Sequence, residues 1–294
     1  MAGHADFRIL VATDGSTQAR AAIAAVVEGP WPDRTRVRAI VARRIRVPHR
    51  RSILLSALDR TADDAADSAR GALAARWPGA EAVVVDQSPV KGVLGEAAKF
   101  RADLIVIGWR GHGAVRRLLM GGVSRGVVRG ATCAVLVVRR RPRRVRRIVI
   151  GFDASPNARR AVRLVGRLAV PRNGRVLLVG VVEPLAPTSL GPRVGGIRSA
   201  VAREVRRLNT ARAEAAAKGL NRAADELRRG GWQTRTELRS GEPLRALVDA
   251  VNAYQPELLV IGASGSSEGA RHLLLGSVAD GALNQCPVPV LLAR

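Results

Sequence analysis

Two short glycine-bearing stretches in each half of the chain hold the residue types best suited to gripping a phosphate ester. In the first half they are Asp14-Gly15-Ser16 and Gly108-Trp109-Arg110-Gly111, the second followed after nine residues by Gly121-Gly122-Val123-Ser124. Glycine lets main chain approach a phosphate closely. The amides of Gly121 to Ser124, opening a helix, would converge on an anion at its positive end. Asp14 cannot hold a phosphate without a metal, so its carboxylate suits a ribose hydroxyl or an adenine amino group. Singly, these pieces are ordinary: Asp-x-Ser after a strand is a common helix N-cap, and glycine after a strand is a common turn. Their joint spacing, present twice in one chain, favours a ligand site.

The second occurrence comes from a whole-chain duplication. Arg8 to Ser16 is echoed by Arg147 to Ser155, an offset of 139; Asp103 to Gly108 by Glu257 to Gly262, an offset of 154; and Gly121-Gly-Val-Ser124 by Gly276-Ser-Val-Ala279, an offset of 155. A period this long is a duplicated domain, not a solenoid. The expected domains are 1–140 and 141–294. Between them Arg139 to Arg146, RRRPRRVR, reads as a solvated connector, with a basic docking patch as the second reading.

The elements that must position these loops alternate. Short apolar runs near 8–13, 36–42, 82–85, 104–108 and 134–138 are separated by helical patterns near 17–28, 55–76, 90–101 and 122–130. The second copy repeats this with strands near 147–152, 175–182, 234–238, 258–262 and 288–292, and helices near 156–169, 197–230, 243–254 and 277–284. Gly219 is a candidate break in the long helix. Strands with little polar alternation are buried on both faces, as in a parallel sheet. Alternating β and α predicts two doubly wound α/β domains with helices on both faces. Ligands in such sheets bind beyond the carboxyl ends of the strands, where strand order reverses.

Composition narrows the classes. A length of 294 residues suits two domains, and 47% hydrophobic residues with only 3% aromatic ones predicts Ala, Val and Leu cores. No run reaches the roughly 18 apolar residues of a membrane helix, and Met1 to Phe7 shows no secretion signal. Cys133 and Cys286 form no CxxC and sit before apolar strands, as small core residues in a reduced, cytoplasmic setting. The net charge of +25 favours salt-sensitive contact with polyanions, including nucleic acid. Yet only three of 49 basic residues are Lys (Lys91, Lys99, Lys218), and the arginines are scattered over nearly every helix, which reads first as compositional bias on solvated faces.

Gly108-x2-Gly111-x9-Gly121, with Asp-Gly-Ser after strand 1, resembles the ATP-binding branch of the universal stress protein family over nearly all of the chain. The resemblance implies five parallel strands per domain in the order 3-2-1-4-5, reversing between strands 1 and 4. It implies ATP as ligand; Mg²⁺ is the ordinary companion of ATP, but no residue in the sequence marks a place for it. Asp14 would face the ribose and adenine end, and the main chain near Ala42 would meet adenine. Gly108 and Gly111 would line the ribose and phosphate path, and Gly121, Gly122, Val123 and Ser124 would cradle phosphates. The matching positions in the second copy are Asp153, Val181, Gly262, Gly265, Gly276, Ser277 and Val278. Gly122 stands where the family usually has Ser or Thr; after Gly265 there are ten residues instead of nine; and Ala154 replaces glycine. The final strands, 134–138 and 288–292, are the family's usual pairing edges, implying that the two copies pair within the chain and that two chains could form a homodimer.

The function expected from this reading is regulatory adenine-nucleotide binding in a stress response, without catalysis. The alternative is a nucleotide-free interaction module whose basic surface contacts nucleic acid or protein. A slow ATP hydrolase is a third reading with no positioned base behind it. Arg110 and His112 lie in the glycine loop within reach of phosphates or solvent. His4, His49 and His272 lack partners at metal spacing. Two GxSxG strings, at Ser124 and Ser267, lack the strand-to-helix elbow of a nucleophile, and there is no Walker lysine.

Overall fold

A computed structural model describes residues 6–43, 53–110, 120–141, 144–186, 195–264 and 275–294. The first copy runs β1 (Phe7–Ala12), α1 (Thr17–Glu28), β2 (Thr35–Arg43), α2 (Ile53–Ala74), β3 (Glu81–Asp86), α3 (Pro89–Phe100), β4 (Leu104–Gly108), α4 (Gly122–Gly130) and β5 (Ala134–Val138). The second runs β6 (Arg147–Gly151), α5 (Pro156–Gly166), β7 (Arg175–Val182), α6 (Gly195–Arg229), β8 (Gln233–Ser240), α7 (Pro243–Tyr254), β9 (Leu258–Gly262), α8 (Ser277–Gln285) and β10 (Val290–Ala293). β4 and β5 are buried at every position, as double-faced coverage by helices requires.

All ten strands form one sheet, ordered β3-β2-β1-β4-β5-β10-β9-β6-β7-β8. Each half is the expected 3-2-1-4-5. Every pairing is parallel except β5 with β10, which is antiparallel: Val290 faces Val137, Leu291 faces Leu136 and Leu292 faces Val135. Because residue n of the first copy corresponds here to n plus 155, Leu136 and Leu291 are equivalents facing each other, and a pseudo-two-fold axis passes between them. The contact is isologous, as between two identical subunits. One buried cluster on each face of the sheet runs through both copies.

The arginines after the joining strands complete this symmetry. Arg139 donates to the carbonyl oxygens of Leu283 (2.9 Å) and Asn284 at the end of α8, and its equivalent Arg294 donates to Val128 O near the end of α4. A guanidinium suits the negative end of a helix, and burial lowers the pKa of both groups. The joint is therefore more than a solvated connector. Arg139 is inserted between the copies, Val145 is buried in the core, and Arg141 pairs with Glu28 at 2.6 Å.

Most element bounds differ from the sequence reading by a residue or two, and three differences stand out. α6 continues unbroken through Gly219, where a Cβ would meet Phe152 and Ala154 at ordinary contact distance, 3.6 and 3.9 Å, so packing does not require the glycine and the helix absorbs it. β10 begins at Val290 instead of 288, because Pro287 and Pro289 have no N–H for the ladder. α5 stops at Gly166, short of the expected 169.

Candidate functional site

The crevice lies at the carboxyl ends of β1 and β4, where the strand order of the first copy reverses. The loop after β1 folds on local hydrogen bonds. Ser16 Oγ accepts from Ala19 N at 3.2 Å and caps α1, and Asp14 Oδ1 accepts from Ser16 N at 3.0 Å. The turn needs a left-handed residue, supplied by Gly15 at φ +76°. Asp14 is exposed, Ser16 buried. The second copy repeats each bond, with Ser155 capping α5 (3.1 Å from Ala158 N) and Asp153 accepting from Ser155 N at 3.0 Å. There the left-handed position is held by Ala154 at φ +60°, a conformation costly for a residue with a Cβ.

Gly108 ends β4 directly under the first turn of α1. A Cβ there would stand 2.9 Å from the main chain of Gln18, and one at Gly262 would stand 2.9 Å from Asn157 Cβ and 3.2 Å from Ala158 N. These glycines let the helix after strand 1 settle against the end of strand 4, which brings the Asp14 and Asp153 loops beside the carboxyl ends of β4 and β9. Gly111 and Gly265 lie outside the described residues, as do the four histidines.

The far wall of the crevice is the start of α4. Gly121, the N-cap, supplies no side chain, and its own N–H is held by Trp109 O at 3.0 Å. A Cβ on Gly122 would meet nothing within 4 Å, and Val123 is 39% exposed. Among the described residues nothing stands before the first-turn amides, and Gly121 supplies no capping side chain. Ser124, in contrast, is 3% exposed and its hydroxyl donates to Gly108 O at 2.7 Å. It ties the glycine loop to the helix and can reach a ligand only through main chain; it is also no exposed nucleophile. In the second copy Gly276 N is held by Ala263 O at 2.9 Å, with Ser277 exposed and Val278 half-buried behind it.

At the base end, β1 pairing stops at Ala12 with Ile40, and Thr13 N donates to Ile40 O, while β2 runs on to Arg43. Ala42 therefore lies past the end of β1, with its outer side paired to Val85 of β3. Val181 takes the same place, beyond the Gly151–Val179 pair and opposite Arg239. The side of each residue facing the shorter strand borders the crevice.

Two features were not foreseen. Trp109 turns away from the crevice into the joint between copies, where Nε1 donates to Leu283 O at 3.1 Å, and its ring lies between the guanidiniums of Arg110 (4.1 Å) and Arg139 (3.9 Å). In the first turn of the phosphate-side helix, the equivalent positions carry Arg125 in α4 and Asp280 in α8, both half-buried and both donating N–H to the N-cap carbonyl. The duplication alone could have exposed the second difference; nothing local in the sequence exposes the first. Among the described residues no cluster of three or more His, Cys, Asp or Glu could hold a metal.

The family model described as the universal stress protein family matches residues 7–139 and again 144–294. The chain belongs to the universal stress protein family. It carries two family domains in tandem. A universal stress protein of Mycobacterium tuberculosis is 26% identical over 205 residues, covering 66% of this chain and 62% of the relative, and a second from that organism is 29% identical over 202 residues, covering 65% and 58%. The matched region thus spans about three-fifths of those relatives' length. The crystal structure of a universal stress protein from Archaeoglobus fulgidus superposes with a TM-score of 0.66 at 16% identity, covering 98% of both chains, and that of a putative family member from Pseudomonas aeruginosa with 0.55 at 16%, covering 98% of this chain and 93% of that one. These likenesses concern the fold. Among the described residues no helix is long and apolar enough to cross a membrane.

Proposed function

We propose that this stress-family protein is a regulatory binder of ATP in the cytoplasm, and that its first copy holds the nucleotide more tightly than its second. The observation that carries the reading is the start of α4: uncapped first-turn amides behind a glycine, Gly122, whose Cβ direction is empty. Such a helix start suits a phosphate. Asp14 would take the ribose and adenine end, the main chain at Ala42 the base, and Gly108 and Gly111 the path between them. Asp153, Val181, Gly262, Gly265, Gly276, Ser277 and Val278 are the corresponding set. ATP, with Mg²⁺ as its companion, would supply a charged occupant that ties loop to helix, and that ordering would bias docking of a partner or a second chain.

Arg125 and Asp280 support the ranking. A cation in the first turn adds to the attraction for phosphate, while a carboxylate there already complements the helix and repels a second anion. No general base is assigned to the crevice, so the reading is of binding without turnover. The net charge of +25 supports a second reading, a nucleotide-free module that contacts nucleic acid through its basic surface.

Calorimetry with ATP on the wild type, Asp14→Ala and Gly122→Val tests the first reading. Valine at 122 has room to fold but fills the space before the amides, so in both variants the tighter, first-copy site should weaken at least about tenfold while the second-copy site is unchanged. No adenine-nucleotide binding at millimolar concentration in the wild type, or equal binding by Gly122→Val, would end it. Salt-dependent RNA binding indifferent to these variants would favour the second reading.

A further inference from the structure

At the opposite, amino-terminal end of the sheet, the two copies have diverged in charge. In the first copy Arg36 and Arg38 on β2 converge on Glu81 of β3; Arg36 stands 3.7 Å from it, and Arg38 bonds both Glu81 and, at 2.6 Å, the buried Glu96 of α3. Arg38 also lies over the ring of Phe100, 4.4 Å from its centre. This cluster neutralises itself.

Strand register gives the equivalents. Arg36 beside Arg8 corresponds to Arg175 beside Arg147, and Arg38 opposite Glu81 corresponds to Leu177 opposite Arg235. Along the matching twelve-residue helices α3 and α7, Glu96 becomes Ala250 and Phe100 becomes Tyr254. Both carboxylates are gone, one of them replaced by arginine, and a phenol replaces a phenyl ring. Arg175 and Arg235 form no ion pair or hydrogen bond through their side chains among the described residues.

A cleft of about 460 Å³ opens at this place, its lining including Arg175, Gln233, Arg235 and Tyr254 together with Arg228 and Trp232. Arg175, Gln233 and Arg235 share one sheet face, since 175 pairs with 233 and 233 and 235 are two apart on one strand. Arg228 is occupied, donating to Thr234 O at 2.9 Å and to Asp225 at 2.8 Å. Burial, with a smaller contribution from Glu257, which is itself paired with Arg147, pushes the Tyr254 phenol above its ordinary pKa against the pull of Arg175, Arg147 and Arg235, so the hydroxyl stays a donor.

We infer that the cleft between β7, β8 and the end of α7 is a binding site for a small phosphate-bearing metabolite, held by the guanidiniums of Arg175 and Arg235 with Tyr254 and Gln233 as neutral donors. Two unpaired guanidiniums facing a cleft with no carboxylate in its lining match a dianion with several acceptor oxygens, and the cleft volume is that of a small-ligand site. The site is independent of the nucleotide reading, which concerns the other end of the strands.

The test is calorimetry with pyrophosphate and with inorganic phosphate, on the full chain, for the wild type, Arg235→Glu, Arg235→Gln, Tyr254→Phe and a control, Arg206→Glu, which makes the same charge change at an exposed site on α6. Arg235→Glu restores the first copy's residue beside Arg175, so its unfolding midpoint should not fall. Its affinity for pyrophosphate should fall about tenfold or more, with Arg235→Gln close behind, Tyr254→Phe reduced several-fold, and Arg206→Glu near wild type. An equal loss in Arg206→Glu, unchanged binding in both Arg235 variants, or no wild-type binding at millimolar concentration would each overturn the inference. Loss in the Arg235 variants with ATP binding intact would establish it apart from the crevice.

Discussion

Trp109 Nε1 lies 3.1 Å from Leu283 O, a hydrogen bond across 174 residues that fastens the glycine loop of one copy to the last turn of α8 in the other. The first copy's crevice and the joint between copies therefore share one residue. Trp109→Phe keeps the ring between Arg110 and Arg139 but removes the donor, and should cost about 1 kcal/mol. Trp109→Ala removes the buried ring as well and should cost about 3–5 kcal/mol. Urea unfolding followed by circular dichroism measures both; an alanine variant as stable as the wild type would mean that the ring carries no packing.

Ala154 occupies a left-handed turn that Gly15 occupies in the first copy. Ala154→Gly should raise stability by about 1 kcal/mol, because relief of the Cβ clash exceeds the added entropy of the unfolded chain. Gly15→Ala should lower it by a similar amount. The two denaturation midpoints must move in opposite directions for this reading to stand.

The ranking of the two crevices can be read from binding stoichiometry. Titration with ATP should show one tighter site, and Asp280→Asn should strengthen the weaker one several-fold while costing α8 about 0.5 kcal/mol of dipole complementarity. Two equal sites in the wild type, or no response to Asp280→Asn, would remove Asp280 as the cause.

Burial raises both thiols, Cys133 and Cys286, from 9.0 to about 11. A group whose pKa is higher in the folded state holds its proton there after the unfolded chain has lost it. Its stabilisation is complete below about pH 9 and fades as pH climbs toward about 11, at roughly 1.4 kcal/mol per pH unit for each thiol. Only three lysines and one tyrosine share that range, so thermal melts of Cys133→Ala/Cys286→Ala should show a visibly flatter alkaline limb. An unchanged slope would mean that the thiols ionise freely in the folded protein.

Much of this architecture is legible in the sequence. Apolar runs such as Leu104 to Gly108 read as doubly covered strands, the alternation with helical patterns points to a parallel sheet, and the 139- and 154-residue echoes place the second copy on the first. The loop after β1 was legible for the same reason: Asp14 and Ser16 bond to main chain two and three residues away. What was not legible depends on residues far apart. The Ser124 hydroxyl looks like a phosphate ligand until Gly108 O, 16 residues earlier, claims it. Arg139 looks solvated within a run of arginines until α8 closes over it. The cleft at Arg175 and Arg235 needs the β7–β8 register, which no local pattern encodes.

The antiparallel seam between β5 and β10 turns what would be a meeting of separate molecules into an event within a single polypeptide. Its occupancy is set by the tether and not by how much protein the cell holds, so dilution does not open it. Each half is also freed from having to match an identical twin. A substitution on one side of the axis is no longer forced on the other, and the contrasts Arg125 with Asp280 and Glu81 with Arg235 are what that freedom permits: one scaffold presenting two differently charged faces.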